Sequence, residues 1–510
     1  MKIRDFVAHY AKDSLAQALA QYLATDAPTR VHLKGLVGSL DAVVASATYK
    51  IHTEAKKRIN HIFVLNDRDE ALYFYNDLQN LLGKKNIWFF PSSYKRPYKF
   101  MEVENANVLE RAEVLNRINQ RVSTPQVVSV DAAKANEENP ANEDGFMIVT
   151  YPSALVEKVI NKRSLLENTF TAKVGEQVDI EFLAEILHTY DFDKTDFVYE
   201  AGQFSVRGGI VDIFSYSNDY PYRLEFFDDE LESIRLFDPE SQLSIEQVEQ
   251  IAIIPNVQIK LVQEVRESFL NFVPGNTNVW VKDYESTLTV VRKSFTKVAN
   301  NFKEILEKSG NTQIVNDPDV LFETQVSFEK KLKEFTTVEF GKRFHFKTDK
   351  KLIQEAKPQP SFNKDFALLI DDLKEKQGQG YANYIAADSL RQVERLHVIF
   401  DELDPSVKFD ALGVALREGF VDHINRFVCY TDHQIFERYH RYRAGKRHSK
   451  NKALTMKALK MLNPGDYVTH VDYGVGRFAG LEKVEANGKI QEAVRLVYRD
   501  DEYSLTAQNQ

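Results

Sequence analysis

The alternation of apolar and polar residues is clearest in the middle of the chain. Between Phe197 and Pro239, four short apolar-alternating runs are separated by turn residues at 217–219 and 228–230. The runs are Phe197–Tyr199, Phe204–Phe214, Tyr222–Phe227 and Glu232–Phe237. Alternation with a period of two predicts antiparallel strands that are buried on one side. Gly208-Gly209, inside the run Phe204–Phe214, predicts a bulge or a close approach of two backbones.

Successive side chains of a strand point to opposite faces, so the two faces of Tyr222–Phe227 can be separated. Tyr222, Leu224 and Phe226 form the expected core face. Arg223, Glu225 and Phe227 form the expected solvent face, and Arg207 of the preceding run is placed to join them. Two arginines and an aromatic ring are typical of a protein-binding hot spot. An ordinary exposed pair, with Phe227 under a loop, has the same composition, so both interpretations stay open on composition.

The first part of the chain alternates strand and helix patterns, which predicts a parallel sheet. The predicted strands are Arg30–Lys34, His61–Leu65, Ile87–Phe90, Gln126–Val130 and Phe146–Thr150. The predicted helices are Leu15–Leu23, Ser39–Thr53, Arg68–Leu82, Val108–Asn119 and Ser153–Ile160. Residues 131–145 are polar and acidic, and they predict a solvated insertion.

The patterns after the central strands divide into three parts. Before the central strands, Ile180–Thr189 is predicted to be a helix. Residues 249–345 return to α/β character, with an apolar run at Ile251–Ile254, a predicted strand at Asn278–Val281 and a predicted helix at Ser286–Lys308. Residues 346–435 predict a separate small α/β unit behind a linker at Lys347–Pro360. Its predicted elements are strands Phe366–Ile370, Val407–Asp410 and Phe427–Thr431, helix Ser389–Asp401 and a turn at 419–422. Residues 461–510 predict a small β-barrel, with a tail from Ser504 that is too polar for a strand.

Composition narrows the class of protein. The 510 residues predict three to five domains, and the net charge of −9 argues against coating nucleic acid by bulk charge. Cys429 is the single cysteine, which excludes an internal disulfide and a cysteine-based zinc cluster. The N-terminus lacks a signal-peptide core, and no apolar run reaches about 18 residues. We therefore expect a soluble, cytoplasmic protein.

The first strand–loop–helix has the shape of a phosphate loop without its chemistry. A working loop needs Lys followed by Ser or Thr after its last glycine. Measured from Gly35, those two positions hold Asp41 and Ala42. The degenerate loop comprises Gly35, Gly38, Ser39, Asp41 and Ala42. A carboxylate there repels phosphate, so we expect no bound cofactor at this loop.

One stretch, Arg438–Lys460, is strongly basic. It is compatible with contact to a nucleic acid backbone and with a solvated linker helix. His433, His440 and His448 lack carboxylates at ligand spacing, so we expect no metal site. Known hydrolase, kinase and metalloprotease motifs are absent from the sequence, which predicts a multidomain binding protein.

Two stretches resemble known families. Residues 202–214 and 222–235 resemble the domain shared by the excision-repair protein UvrB and the transcription-repair coupling factors (Mfd). Residues 464–481 resemble the CarD-like RNA polymerase-interacting domain of the coupling factors, which UvrB lacks. The degenerate loop and the short connection from Pro91 to Val108, where UvrB carries a long hairpin, also favour the coupling factors.

The resemblance implies an α/β multidomain fold: a degenerate P-loop-like parallel sheet, an inserted antiparallel β-rich domain, a small α/β domain and a CarD-like β-barrel. The implied domains are 1–155 (UvrB-like domain 1a), 156–248 (UvrA-binding domain 2), 249–345 (domain 1b), 346–437 (domain 3), 438–460 (basic linker) and 461–510 (RNA polymerase-interacting domain, truncated).

The resemblance also implies partners. Arg207, Arg223 and Phe227 match the surface that recruits the UvrA damage-recognition protein. An edge strand at Leu481–Glu485, with Val484 central, would pair with the β subunit of RNA polymerase. The chain is then a non-catalytic adaptor, and a fragment whose parent translocates on double-stranded DNA with ATP and Mg²⁺ in a separate motor. The alternatives are a UvrB-like ATP-binding repair subunit and a CarD-like transcription regulator.

Overall fold

A computed structural model describes most of the chain. The described residues are 3–25, 27–93, 105–123, 144–167, 169–215, 220–239, 241–253, 265–309, 317–348, 350–387, 389–438, 465–470, 474–486, 489–497 and 503–507. The predicted strand at 126–130, most of the predicted insertion at 131–145 and nearly all of the basic stretch 438–460 lie outside them.

The first half of the chain contains an α/β part followed by a mainly β part. The α/β part contains α1 (Ile3–Ala11), α2 (Ser14–Leu23), β1 (Arg30–Lys34), α3 (Leu40–Glu54), β2 (Asn60–Val64), α4 (Arg68–Leu82), β3 (Ile87–Phe89), α5 (Asn105–Ser123), β4 (Met147–Thr150), α6 (Pro152–Val156), β5 (Val159–Ile160) and α7 (Lys162–Glu167). The mainly β part contains β6 (Phe170–Lys173), α8 (Ile180–Thr189), β7 (Asp193–Lys194), β8 (Gln203–Arg207), β9 (Ile210–Ile213), β10 (Tyr222–Phe227), β11 (Glu230–Phe237), β12 (Ser244–Val248) and β13 (Gln250–Ile253).

The second half of the chain returns to mixed helices and strands before it ends in strands alone. It continues with β14 (Arg266–Glu267), α9 (Phe269–Phe272), β15 (Thr277–Lys282), α10 (Tyr284–Ser309), α11 (Pro318–Leu321), α12 (Gln325–Leu332), β16 (Thr337–Phe340) and β17 (Lys351–Ile353). It ends with β18 (Ala356–Pro358), α13 (Phe366–Gly378), β19 (Ala382–Ala386), α14 (Leu390–Leu403), β20 (Asp410–Leu412), β21 (Phe420–Asp422), β22 (Phe427–Thr431), α15 (Asp432–Ile435), β23 (Tyr467–His470), β24 (Gly474–Ala486), β25 (Lys489–Val497) and β26 (Tyr503–Ala507).

A seven-stranded parallel sheet organises the largest core. Its order is β17-β1-β16-β15-β2-β4-β3, and every neighbouring pair is parallel. β2, β4 and β16 are buried along their whole length, as expected for strands covered on both faces. Strands from 30–150 and from 277–353 share this sheet, so the predicted α/β character of both parts is confirmed.

The central alternating region forms a six-stranded sheet in the order β12-β11-β10-β9-β8-β7. Neighbours from β8 to β12 are antiparallel, which confirms the main prediction from the alternation. One face packs against α8, where Leu183 and Leu187 meet Phe204 and Leu224 in a separate core. The opposite face carries polar residues, among them Ser205, Asp212 and Arg223, and a small apolar cluster of Val198, Phe214 and Phe237.

A five-stranded sheet, β18-β21-β22-β19-β20, lies against the first part of the chain. One face packs on α13 and α14 through Leu369 and Leu396. The other face belongs to the main core, because Phe427 contacts Phe6 and Tyr10 of α1. The Tyr10 hydroxyl also donates to the buried Asp422 at 2.9 Å. This sheet therefore shares a core with the parallel sheet.

The last four strands form an antiparallel sheet in the order β23-β24-β25-β26. The described part of the tail predicted to be too polar for a strand, residues 504–507, belongs to β26 and pairs with β25. That prediction was wrong because main-chain hydrogen bonding to a neighbour does not require apolar side chains. No pairing of β23 with β26 occurs among the residues that the structure describes, and closure into a barrel stays a prediction.

Several predicted elements of the small unit were wrong. Phe366–Ile370 begins helix α13, because Asp365 caps the helix by accepting hydrogen bonds from the amides of Ala367 and Leu368. The predicted turn at 419–422 contains strand β21, and the predicted linker Lys347–Pro360 contains β17 and β18.

Two further predictions need correction. Ser153–Ile160 is not one helix, because α6 ends at Val156 and Val159–Ile160 pairs with β14. Phe204–Phe214 is not one strand but the hairpin β8–β9, with Gly208-Gly209 as its turn, and Phe197–Tyr199 forms no strand. A two-residue glycine turn permits the positive φ of +61° seen at Gly208. None of the described helices has the length and apolar character to cross a membrane.

Candidate functional site

The polar face of the six-stranded sheet brings together the residues that strand parity singled out. In the register, Ser205 of β8, Asp212 of β9 and Arg223 of β10 are direct neighbours, and Arg207 pairs with Ile210. Arg207, Asp212 and Arg223 therefore lie on one side of the sheet. We call these three residues with Phe227 the arginine face.

Asp212 holds the two arginines together. Its side chain is 0% exposed, yet its carboxylate accepts a hydrogen bond from Arg207 Nη2 at 2.5 Å. It also accepts from Arg223 Nε at 2.8 Å and from Arg223 Nη2 at 2.9 Å. A buried carboxylate is stable only when it is paired and hydrogen-bonded, and here both conditions are met. One carboxylate between two guanidinium groups leaves one positive charge uncompensated within this cluster.

Further contacts fix both guanidinium groups. Arg207 Nη1 donates to the Asp196 carbonyl at 2.8 Å, and Arg223 Nη1 donates to the Gln242 carbonyl at 3.1 Å. The Arg223 guanidinium also stacks over the Phe237 ring at 4.3 Å. The hydrogen bonds that Arg223 donates to Asp212 raise the pKa of Arg223 against the opposing effect of burial. Both side chains are therefore held in place before any partner arrives.

Phe227 ends β10 on the same face and is 72% exposed. Burial alternates along β10, so that Tyr222, Leu224 and Phe226 are buried while Arg223 and Glu225 are half-buried. Phe227 is thus an exposed ring and is not covered by a loop. The expectation that Phe227 could lie under a loop was wrong, whereas the binding role of the three residues stays a prediction.

Sequence reasoning missed Asp212. When Phe204–Phe214 is treated as one strand, parity places Arg207 and Asp212 on opposite faces. The hairpin turn at Gly208-Gly209 reverses this, because Ser205 then pairs with Asp212 across the turn. The paired glycines were the available signal, since they favour a two-residue hairpin turn.

The degenerate loop lies between β1 and α3, as predicted. The Asp41 carboxylate forms an ion pair with Lys282 Nζ at 3.1 Å and accepts a hydrogen bond from the Ala42 amide at 2.8 Å. Lys282 also pairs with Glu70 at 2.8 Å. These two carboxylates raise the pKa of Lys282 against the effect of burial. The charge of the Asp41 carboxylate is therefore balanced by a cation within the protein.

Main-chain groups from later in the chain fill the space over this loop. A Cβ atom at Gly35 would lie 1.8 Å from the Gln354 carbonyl oxygen, and one at Gly38 would lie 2.8 Å from the Gly419 carbonyl oxygen. The Ser39 amide donates to the Glu418 carbonyl at 3.0 Å. The amide that would otherwise face a phosphate is thus already paired.

A buried carboxylate, Asp77, links the degenerate loop to the later main chain at Arg417. Asp77 accepts from Ser39 Oγ at 2.6 Å and from the Arg417 amide at 3.0 Å. Burial raises the pKa of Asp77 to about 8, although both hydrogen bonds favour its charged form. The cavity that remains, between Lys282 and Arg417, has about 90 Å³, well below the roughly 300 Å³ of small-molecule sites. Among the described residues, no cluster of His, Cys, Asp or Glu is placed to hold a metal ion.

The predicted polymerase contact lies on β24. Leu481 pairs with Val494, Val484 pairs with Gln491 and Glu485 pairs with Ile490, all on the β25 side. On the other side, β23 pairs with β24 only from Gly474 to Arg477. From residue 481 onward, β24 therefore has no second neighbour within the part of the chain that the structure describes. Its backbone there forms a strand edge.

Two family models match the chain. Residues 170–258 match the UvrB interaction domain, and residues 462–506 match the CarD-like/TRCF RID domain. The first match contains the whole arginine face, and the second contains the β24 edge.

Similar curated proteins carry one name. A transcription-repair-coupling factor of Myxococcus xanthus is 23% identical over 90% of this chain, and that of Escherichia coli K12 is 25% identical over 71%. One from Staphylococcus aureus is 22% identical over 84%. The chain spans only 36% to 43% of the length of these relatives. The two domain matches and these relatives together show that the chain is similar to part of the transcription-repair-coupling factors.

Proposed function

We propose that the chain is a non-catalytic adaptor of transcription-coupled nucleotide excision repair. The arginine face recruits the damage-recognition protein UvrA, and the β24 edge binds the β subunit of RNA polymerase. Together they direct excision repair to stalled transcription. The observation that carries the proposal is the exposed Phe227 ring on the same face of the sheet as two pre-positioned arginines, inside the match to the UvrB interaction domain.

The physical properties of the arginine face favour a protein partner. Interface hot spots are enriched in arginine and aromatic residues, and rigid side chains lose little conformational entropy on binding. Arg207 and Arg223 are already fixed by Asp212, so a partner does not need to order them. The excess positive charge favours a carboxylate on the partner, and Phe227 favours an adjacent apolar pocket.

Calorimetry with purified UvrA tests this assignment. Phe227→Ala or Arg207→Glu should weaken binding by about 1–3 kcal/mol, as removal of a hot spot does. Phe182→Ala is the matched control, because Phe182 is 56% exposed on α8 in the same module but lies outside the arginine face. Unchanged affinity in both face variants, or an equal loss in the control, contradicts the assignment.

The β24 edge supports the second binding task. Addition of a strand to an open edge gives affinity through main-chain hydrogen bonds. Val484→Arg should reduce retention of the chain on a column carrying the polymerase β subunit, because Val484 is central to the segment Leu481–Glu485. Phe227→Ala should leave that retention unchanged, while Val484→Arg should leave UvrA affinity unchanged. Loss of both activities in either variant would indicate misfolding and argue against two separate surfaces.

The degenerate loop favours an adaptor over a UvrB-like ATPase, because main chain from residues 354 and 418–419 packs against it. We propose that residues 1–510 bind no nucleotide, and that ATP, Mg²⁺ and translocation on double-stranded DNA belong to a motor region of the parent protein. Saturable binding of Mg-ATP by this chain would contradict this proposal and favour the ATP-binding repair subunit. A transcription regulator that acts through the last sheet alone is contradicted if UvrA binds.

A further inference from the structure

A strongly basic segment connects β16 to β17 and is not used by the proposed function. Residues 342–351 contain five Lys or Arg residues and one acidic residue, Asp349. The chain as a whole has a net charge of −9, so this concentration of positive charge is local. Because β1 lies between β16 and β17 in the sheet, the segment crosses over β1. We call residues 342–351 the cationic crossover.

The backbone of the cationic crossover is fixed by two carboxylates. Asp283 Oδ1 accepts hydrogen bonds from the amides of Lys342 at 2.9 Å and Arg343 at 3.0 Å. Glu339 Oε2 accepts from the amides of His345 at 3.0 Å and of the next residue at 3.1 Å. The neighbouring acidic groups therefore hold main-chain amides.

The aromatic residues of the crossover pack inward. The Phe344 ring contacts His32 at 4.9 Å between centroids, and Lys34 Nζ lies 4.6 Å from the Phe344 ring centre. The Phe346 ring packs against Tyr284 at 4.5 Å. These contacts fasten the segment to the sheet, so its outer side chains project from an ordered support.

Four of the five cationic side chains face solvent: Lys342, Arg343, Lys347 and Lys351. No acidic group among the described residues forms an ion pair with any of these four. Among the described residues, Glu285 lies 3.4 Å from His345 of the crossover, and Glu339 also interacts electrostatically with His345. The four charges are therefore available to an external anion.

We propose that the cationic crossover binds the phosphodiester backbone of a nucleic acid. Several exposed cations on a fixed support can replace the counterions of successive phosphates, which is the main source of sequence-independent affinity. Phe344 and Phe346 are already packed against the protein, so base stacking contributes little. Binding should therefore depend on the charge of the phosphodiester backbone and little on base sequence. This function is separate from the two protein-binding surfaces.

Fluorescence anisotropy with labelled duplex DNA of about 20 base pairs, in parallel with single-stranded RNA of about 20 nucleotides, tests the proposal. The full chain should bind with a log–log salt slope of about −0.9 per phosphate contact on duplex DNA. The triple variant Lys342→Ala, Arg343→Ala, Lys347→Ala should raise the Kd about tenfold or more at ~100 mM salt and make the slope shallower by about 2–3. Comparison of the Kd for duplex DNA with that for single-stranded RNA shows which nucleic acid the crossover prefers.

The matched control removes three positive charges elsewhere. Lys57, Lys84 and Lys85 are exposed and lie just before β2 and β3, at the amino-terminal edge of the parallel sheet. Lys342 and Arg343 follow the carboxyl end of β16, at the opposite edge. The control Lys57→Ala, Lys84→Ala, Lys85→Ala should bind like the unchanged chain. The proposal is overturned by no binding of either probe at ~50 mM salt, by an unaffected crossover variant, or by an equal loss in the control.

Discussion

The buried carboxylate of the arginine face gives the sharpest prediction. Asp212→Asn keeps the shape of the side chain but removes its charge, and the new amide nitrogen is a donor facing guanidinium donors. Three hydrogen bonds, one from Arg207 and two from Arg223, are affected. We therefore expect the six-stranded sheet to become less stable while the parallel sheet does not change.

The size of the effect follows from the bonds. A hydrogen bond to a charged group contributes about 1.5–3 kcal/mol to stability, against about 0.5–1.5 kcal/mol for a neutral one. Each of the three bonds should therefore lose about 1 kcal/mol, which gives roughly 3 kcal/mol in total. Arg207 and Arg223 are 34% and 17% exposed, and solvent recovers part of this loss. We expect the local free energy of unfolding to fall by about 2–3 kcal/mol.

Hydrogen exchange detected by mass spectrometry measures this locally. Peptides covering β8–β10 should exchange about 30–150 times faster in Asp212→Asn, because each 1.4 kcal/mol is a factor of ten. Peptides covering β2 and β15 are the internal reference. Asp229→Asn is the matched control, because Asp229 is exposed in the turn before β11. Equal protection of β8–β10 in Asp212→Asn and Asp229→Asn would refute the reasoning.

Two further predictions concern the degenerate loop and the residues that pack against it. The raised pKa of Asp77, about 8, keeps it protonated in the folded chain while the unfolded chain ionises near pH 4, so stability should fall as pH rises from about 4 to 8. Asp77→Asn should flatten that dependence in thermal melts between pH 5 and 9, and an unchanged slope would contradict the assignment. Gly38→Ala should destabilise the chain by about 1–3 kcal/mol more than Gly83→Ala, as measured by denaturant titration. Both glycines have positive φ, but a Cβ at Gly38 meets the Gly419 carbonyl oxygen, whereas one at Gly83 meets nothing within 4 Å. An equal loss of stability in the two variants would show that this crowding is unimportant.

Part of the arginine face could be predicted from the sequence, because strand parity depends only on local geometry. The pattern of Tyr222–Phe227 was sufficient to place Arg223 and Phe227 on the solvent side. Asp212 was missed because its position depends on the hairpin turn, which pairs it with Ser205. A pattern along one strand carries no information about the neighbouring strand until the turn is assigned.

The small unit shows a different difficulty. The apolar run Phe366–Ile370 is compatible with a strand or with the first turns of a helix, since a short run cannot separate the two periods. Asp365 was the deciding residue, because a cap is a signal of helix start. The contact of Gly38 with Gly419 joins positions far apart in sequence. It could not be predicted from one sequence.

The carbonyl oxygens that pack against Gly35 and Gly38 bear on any attempt to build a phosphate-binding loop at this position. Replacing Asp41 with Lys and Ala42 with Thr would restore the two polar positions of the motif but not its second glycine, which is Leu40 here. The carbonyl oxygens of Gln354 and Gly419 would also still lie against Gly35 and Gly38. We expect the double replacement to leave Mg-ATP binding undetectable by titration. The main chain of residues 354 and 418–419 packs against this loop, and replacement of two side chains does not remove that packing.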